Sequence, residues 1–304
     1  MSIPEVYLIG APKAGTTSLA AWLGAHPQVY FSVPKEPFYW ASDYPAMRRH
    51  YGFHSLDAYE RLFSSPRARD ATLMAEGSTV YLYSENAVPD ILAAVDRPRF
   101  IVALRRPADL LVSYHRTQLV ALNETEPDFV TAWRRSIAGI PPATTPLDAK
   151  LVDYPRVGRL GAAMARLVEE VPARDLHVVY FNRLTQEPLA VWSELVEFLG
   201  ISAAFTPDFV SRNVSDKMYR SAPLHRLAQR PPSSLTRPVG RLRQWSRVTD
   251  APLVARVKRA MWKHLPKPMV SDEGRREVTE YLRDDLALLG ETLRIDLSGW
   301  AGSR

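Results

Sequence analysis

Five short apolar runs punctuate the chain, and apolar positions recur at helical spacing between them. Residues 5–9, Glu5-Val-Tyr-Leu-Ile9, predict a short buried strand. The runs at 28–32, 71–77, 99–107 and 176–181 predict four more. A helix is expected after Gly15, capped by Thr16 or Thr17, with Leu19, Trp22 and Leu23 turned inward. Pro107 suits the first turn of a helix through Leu122, and "EPLAVWSELVEFLG" reads as another. Residues 272–293 read as one long capped helix whose inner side carries Val278, Tyr281, Leu282, Leu286 and Leu289. The stretch at 138–146, "AGIPPATTP", reads as a flexible loop. Strands alternating with helices predict an α/β fold with a parallel sheet and helices on both faces. Ligands of such sheets bind at the carboxyl ends of the strands.

At 304 residues, the chain suits a single large domain spanning 1–304. It has no cysteine, which excludes disulfides, thiol catalysis and cysteine-ligated metal. No apolar run reaches about 18 residues, and no basic leader precedes an apolar stretch at the N-terminus. A cytoplasmic protein is therefore expected. The formal charge of +6 suggests an anionic ligand or partner. Much of that charge is local: residues 230–267 hold ten Lys/Arg and one acid. This stretch lies within a basic segment, 222–270, expected to be helical and to face substrate or a partner. Three readings stay open for it: a solvated helical face, a dock for an acidic acceptor or acidic carrier protein, or a membrane-surface helix with Val254, Val257, Met261 and Leu265 on one side. The sequence leaves the oligomeric state open.

"APKAGTTSL" follows the first strand. Gly10 and Gly15 have the spacing of a nucleotide phosphate loop, but Thr16 stands where the loop's lysine belongs, and Lys13 comes two residues before Gly15. The loop is thus P-loop-like without being the nucleotide-triphosphate version. The backbone of Ala14 and Gly15, the hydroxyls of Thr16, Thr17 and Ser18, and the charge of Lys13 suit a phosphate or sulfate. A second anion site is expected where the fourth strand ends in Arg105-Arg106. Many phosphoryl-transfer enzymes place a magnesium-binding aspartate at such a strand end. Arginine repels metal and clamps oxyanions. Ser113, eight residues after Arg105, is placed to share an anion with it. Two anion sites without a strand-end carboxylate suit a nucleotide with 3′- and 5′-phosphates and no metal. Plain structural readings stand beside these: a glycine turn, and surface arginines.

These residues carry a resemblance. "PKAGTTSL" resembles the 5′-phosphosulfate loop, and "LRRPADLLVSYHR" the 3′-phosphate motif, of sulfotransferases that use 3′-phosphoadenosine-5′-phosphosulfate (PAPS). "HPQVYFSVPKEPFYW", "EGSTVYLYS", "VVYFNRLTQEPLAVWSELVEFLGI" and "DLSGW" are similar to further stretches of bacterial and carbohydrate-type members, in the same order. Departures are Gly77 and Thr79, where relatives carry Lys and Pro, Leu160 in place of a frequent aromatic, and Asn182 in place of Glu. Residues 222–270 match no part of the pattern.

The resemblance implies a sulfotransferase. PAPS would donate a sulfuryl group to a hydroxyl of a small molecule, sugar or lipid, and adenosine 3′,5′-bisphosphate would leave. Lys13, Ala14, Gly15, Thr16, Thr17, Ser18, Arg105 and Ser113 would hold the donor, Lys13 would also stabilise the leaving phosphate, and Glu36 would be the base. Burial beside "FYW" would make that carboxylate a stronger base, and Lys35 would oppose the change. Its plain reading is an exposed Lys–Glu pair. His26, His50, His54 and His115 are rival bases. Lys35, Phe38, Tyr39, Trp40, Glu76 and Tyr81 are candidates for contact with the acceptor, with Glu76 also a candidate to hold Lys13. On a strand, at most two of the three consecutive aromatics would share a side, so at least one should pack in the core. The rival functions are a P-loop small-molecule kinase and a non-catalytic binder of bisphosphate nucleotide or nucleic acid. No nucleic acid is expected under the leading reading.

Overall fold

The computed structural model describes residues 3–209, 217–219, 221–232, 235, 238–240, 242, 245–246, 262–264 and 271–301. Five strands form one parallel sheet: β1 (Val6–Gly10), β2 (Val29–Phe31), β3 (Leu73–Glu76), β4 (Arg99–Leu104) and β5 (Leu176–Tyr180). Their order is β2-β3-β1-β4-β5. β1 is buried along its whole length, as expected of a central parallel strand covered on both faces. Its neighbours are β3 and β4, so the chain leaves β1 toward one side of the sheet and later returns to the other. This reversal opens a crevice beyond the carboxyl ends of β1 and β4. Ala11 N–H donates to Ala103 O at 2.7 Å, which carries the pairing into the loop that follows β1.

The first helix spans Thr16–Ala25 and buries Leu19, Trp22 and Leu23. Its cap differs from expectation. Gly15 occupies the cap position with φ 92, Thr16 is already helical, and no side chain caps the end. A left-handed backbone is cheap only for glycine. The helix after β4 spans Pro107–Val120.

The expected C-terminal helix is two helices, Asp272–Tyr281 and Arg283–Leu293, which break at Leu282 (φ −98, ψ 13). Val278, Leu282, Leu286 and Leu289 are buried as the spacing predicts, but Tyr281 is 44% exposed and meets Trp133 edge-on. Arg283–Leu293 packs against helix Leu160–Glu170, whose first residues it caps: Asp285 accepts from Gly161 N–H at 2.7 Å and Ala162 N–H at 2.9 Å. A methyl on Gly161 would lie 2.0 Å from Asp285 O, so only glycine allows this approach. Gly161→Ala is expected to destabilise the fold by about 1–3 kcal/mol through overpacking. Denaturant unfolding with an unchanged midpoint would show that the helices part without cost.

Within the basic segment, Ala222–Gln229 is helical, as expected. Trp262–His264 instead forms β7, antiparallel to β6 (Lys217–Tyr219), so the helical spacing from Val254 to Leu265 fails there. Val254, Val257, Met261 and Leu265 themselves lie outside the described residues. No helix among the described residues is long and apolar enough to cross a membrane.

Candidate active site

A cavity of about 580 Å³ lies in the crevice. Lys13, Gly15, Thr16, Thr17 and Ser18 line it from the loop after β1, and Arg105 from the end of β4. The backbone of Lys13 is left-handed, with φ 64. Burial drives its ammonium from the usual 10.5 down to about 8; Glu36 pulls it back up, and Arg105, Lys35 and Arg116 push it further down. An anion arriving there would push that value back up by favouring the charged form. Arg105 Nη1–H donates to Lys13 O at 3.0 Å, and its guanidinium sits 4.5 Å above the Phe181 ring. The β4-end arginine therefore braces the loop as well as charging the cavity.

Glu36 faces the same cavity from the loop after β2. Its N–H donates to Gly77 O at 2.9 Å, which ties this loop to the end of β3. Its Oε1 accepts from Lys35 Nζ at 2.8 Å and from Thr79 Oγ1 at 3.2 Å. Lys35 Nζ also donates to Thr16 Oγ1 at 3.5 Å, so a short polar chain links the acid to the anion loop. Lys35 itself does not line the cavity. The arrangement sets an ammonium and a carboxylate on the same cavity.

The fold matches that of a sulfotransferase from Alicyclobacillus acidocaldarius, with a TM-score of 0.71 at 20% identity over 99% of this chain and 100% of that one. The bifunctional heparan sulfate N-deacetylase/N-sulfotransferase 2 of Bos taurus is 28% identical over 206 residues, 66% of this chain and 22% of that protein. In sequence the chain is similar to N-sulfotransferase proteins, and in fold to a bacterial sulfotransferase. Human bifunctional heparan sulfate N-deacetylase/N-sulfotransferase 3 is 24% identical over 199 residues, with the same shares. The chain spans about a fifth of the length of the curated relatives it matches. No family model matches it.

The rest of the site departs from the sequence expectations in several places. Phe38 lines the cavity, but Tyr39 and Trp40 do not. The segment is a loop rather than a strand, and positive φ at Glu36 (65) and Phe38 (61) removes the alternation of faces. Trp40 packs in the core and donates from Nε1 to Tyr59 OH at 3.0 Å, while Tyr39 stacks on Tyr59 at 4.4 Å. Glu76 and Tyr81 are fully buried behind this loop, off the cavity wall. Ser78 Oγ donates to Glu76 at 3.0 Å and accepts from Phe38 N–H, and Tyr81 OH accepts from Trp40 N–H. Burial raises the Glu76 carboxyl to about 7. Its place is therefore to shape the loop that presents Glu36 and Phe38, and no hydrogen bond joins it to Lys13.

Ala14 is buried and Ser113 half-buried, and neither lines the cavity. Arg105 and Ser113 thus do not share this wall. His26, His50, His54 and His115 also lie off it. His26 and His115 are buried and bonded to the carbonyls of Ser202 and Glu126. Thr79, which the sequence marks only as a departure, reaches the base candidate directly. Beyond the wall, His225 Nε2 bonds Val120 O at 2.6 Å. Arg230 Nη2 donates to Leu122 O at 3.2 Å, Asn123 Oδ1 at 3.0 Å and Thr145 O at 3.1 Å. The start of the basic segment is thus pinned to the end of helix Pro107–Val120.

Arg105→Ala is expected to weaken binding of adenosine 3′,5′-bisphosphate by about 2–4 kcal/mol and to matter less for adenosine 5′-phosphate. Calorimetry with both nucleotides separates two roles. Equal losses would show that Arg105 acts only through its brace on the Lys13 carbonyl.

Proposed function

We propose that the chain transfers the sulfuryl group of PAPS to an acceptor hydroxyl, with Glu36 as base and Lys13 neutralising the leaving phosphate. The observation that carries this reading is that Lys13 and Glu36 line one cavity, with Glu36 linked through Lys35 to Thr16 of the loop that holds Lys13. Glu36 takes the hydroxyl proton as the acceptor oxygen forms its bond to sulfur. The bond between sulfur and the phosphate oxygen breaks in line, by analogy with phosphoryl transfer. Negative charge then builds on that oxygen, where a half-buried ammonium acts most strongly. Adenosine 3′,5′-bisphosphate leaves.

The Gly15–Ser18 loop and Arg105 would hold the two anionic ends of the donor, with Ser113 assisting from outside the cavity wall. Support for a metal-free reaction comes from the lining side chains, among which Glu36 is the sole carboxylate in the described residues. A single domain acting in the cytoplasm, with 222–270 facing acceptor or partner, completes the proposal. The test is labelled PAPS with a panel of hydroxyl compounds in EDTA, followed by mass analysis of the product. Transfer of label without added metal is expected. Transfer of phosphate from ATP that requires magnesium would instead make the chain a kinase.

A further inference from the structure

The charged lining of the cavity gathers near the anion loop, beside the apolar Phe181 and Leu184. The cationic lining side chains among the described residues are Lys13, Arg105 and Arg116. All three belong to the donor side: Arg105 bonds the Lys13 carbonyl, and Arg116 lies near enough to Lys13 to lower its pKa. Past Glu36 the lining changes to Phe38, Met47, Tyr51, Tyr114, Leu147 and Leu151. These come from separate segments of the chain and are well packed. Phe38 and Tyr51 meet at 4.7 Å between ring centres, and Met47, Tyr114 and Leu151 are buried.

The polar side chains on this far side already bond within the protein. Asn123 Nδ2 donates to Gln118 Oε1 at 2.9 Å, and Asn123 Oδ1 accepts from Leu147 N–H at 2.9 Å and from Arg230. The Tyr114 hydroxyl lies beside Gln118. A sugar entering here would give up water around several hydroxyls and meet amides committed elsewhere, which is costly. Among the described residues, a sulfated or carboxylated glycan would find lining cations only beside Lys13. An apolar body has the opposite balance, because its burial against these side chains is favourable.

We propose that the acceptor is a hydroxyl on an uncharged apolar body, a phenol or an alkanol, and that the wall from Phe38 to Leu151 selects it. This rests on the sulfotransferase reading above. The wall differs in kind from what a heparan chain, the polymer named for the curated relatives, would need along its length.

The experiment uses the full chain with PAPS and a series of 4-alkylphenols and 1-alkanols, set against glucosamine oligosaccharides and heparan sulfate. The expected result is that kcat/KM rises with alkyl length, by roughly fourfold per methylene that becomes buried, and that the glycans are turned over at least a hundredfold less well. Met47→Glu should depress kcat/KM for the longer alkyl acceptors and leave affinity for adenosine 3′,5′-bisphosphate unchanged; Met47→Leu should retain both. Glycan turnover equal to that of the alkylphenols, or rates indifferent to alkyl length, would overturn the apolar assignment while leaving sulfuryl transfer intact. Failure to bind the bisphosphate, with no transfer to any acceptor, would overturn both.

Discussion

The Glu36→Gln enzyme is expected to fold, to bind adenosine 3′,5′-bisphosphate as the parent does, and to lose about 10²–10⁴-fold in kcat, the usual range for a general base. The substitution is close to isosteric. A glutamine Oε1 can still accept from Lys35 Nζ and Thr79 Oγ1, the two donors that Glu36 Oε1 meets. The Glu36 N–H bond to Gly77 O and the Phe38 N–H bond to Ser78 Oγ do not involve the Glu36 side chain and should persist. Only the capacity to take a proton is removed. The loss should therefore shrink for acidic phenols, which are already ionised and need no base, and stay large for alkanols. The wild-type kcat/KM should rise with pH through one ionisation, and that limb should flatten in the variant. Near-parental rates with an alkanol would remove Glu36 from the proton transfer. None of His26, His50, His54 and His115 lines the cavity to replace it.

Elements whose signal is local were legible in the sequence. β1 and β4 are continuous apolar runs because both faces of a parallel sheet are covered, and burial writes itself into every position. Lys13, Gly15 and Arg105 could be placed because a phosphate loop and a strand-end arginine are short motifs with fixed geometry. The break at Leu282 was not legible, since helical spacing runs through it from Val278 to Leu289. It is set by packing from elsewhere: Leu282 lies against Gly158, and Asp285 must reach the first turn of helix Leu160–Glu170. Phe38, Tyr39 and Trp40 were read with strand geometry in mind, and positive φ at Glu36 and Phe38 defeats any such alternation. The apolar wall left no local trace either. Met47, Tyr114, Leu147 and Leu151 are ordinary core-type residues, and only the tertiary fold brings them to the cavity that Glu36 lines.

Lys13→Ala is expected to lower kcat by about 10²–10³-fold, the scale for losing one preorganised contact to developing charge. Affinity for adenosine 3′,5′-bisphosphate should fall far less, because the contact strengthens as the sulfur–oxygen bond breaks. The depressed pKa adds a second signature. In the free enzyme Lys13 loses its proton as pH rises through about 8. A bound phosphate favours the charged form, so binding near pH 8–9 should draw a proton from solution, and affinity should decline as pH climbs further. The sign follows from the group: a lysine is charged below its pKa, so the favourable contact is complete on the acid side and lost on the alkaline side. Calorimetry in two buffers of different ionisation enthalpy counts that proton. The alanine variant should take up none from this source and bind with a flatter pH profile. If kcat is unchanged, Lys13 has no part in the chemistry. If proton uptake survives in the variant, another group in the cavity carries the titration, and the ammonium of Lys13 stays charged in the free enzyme.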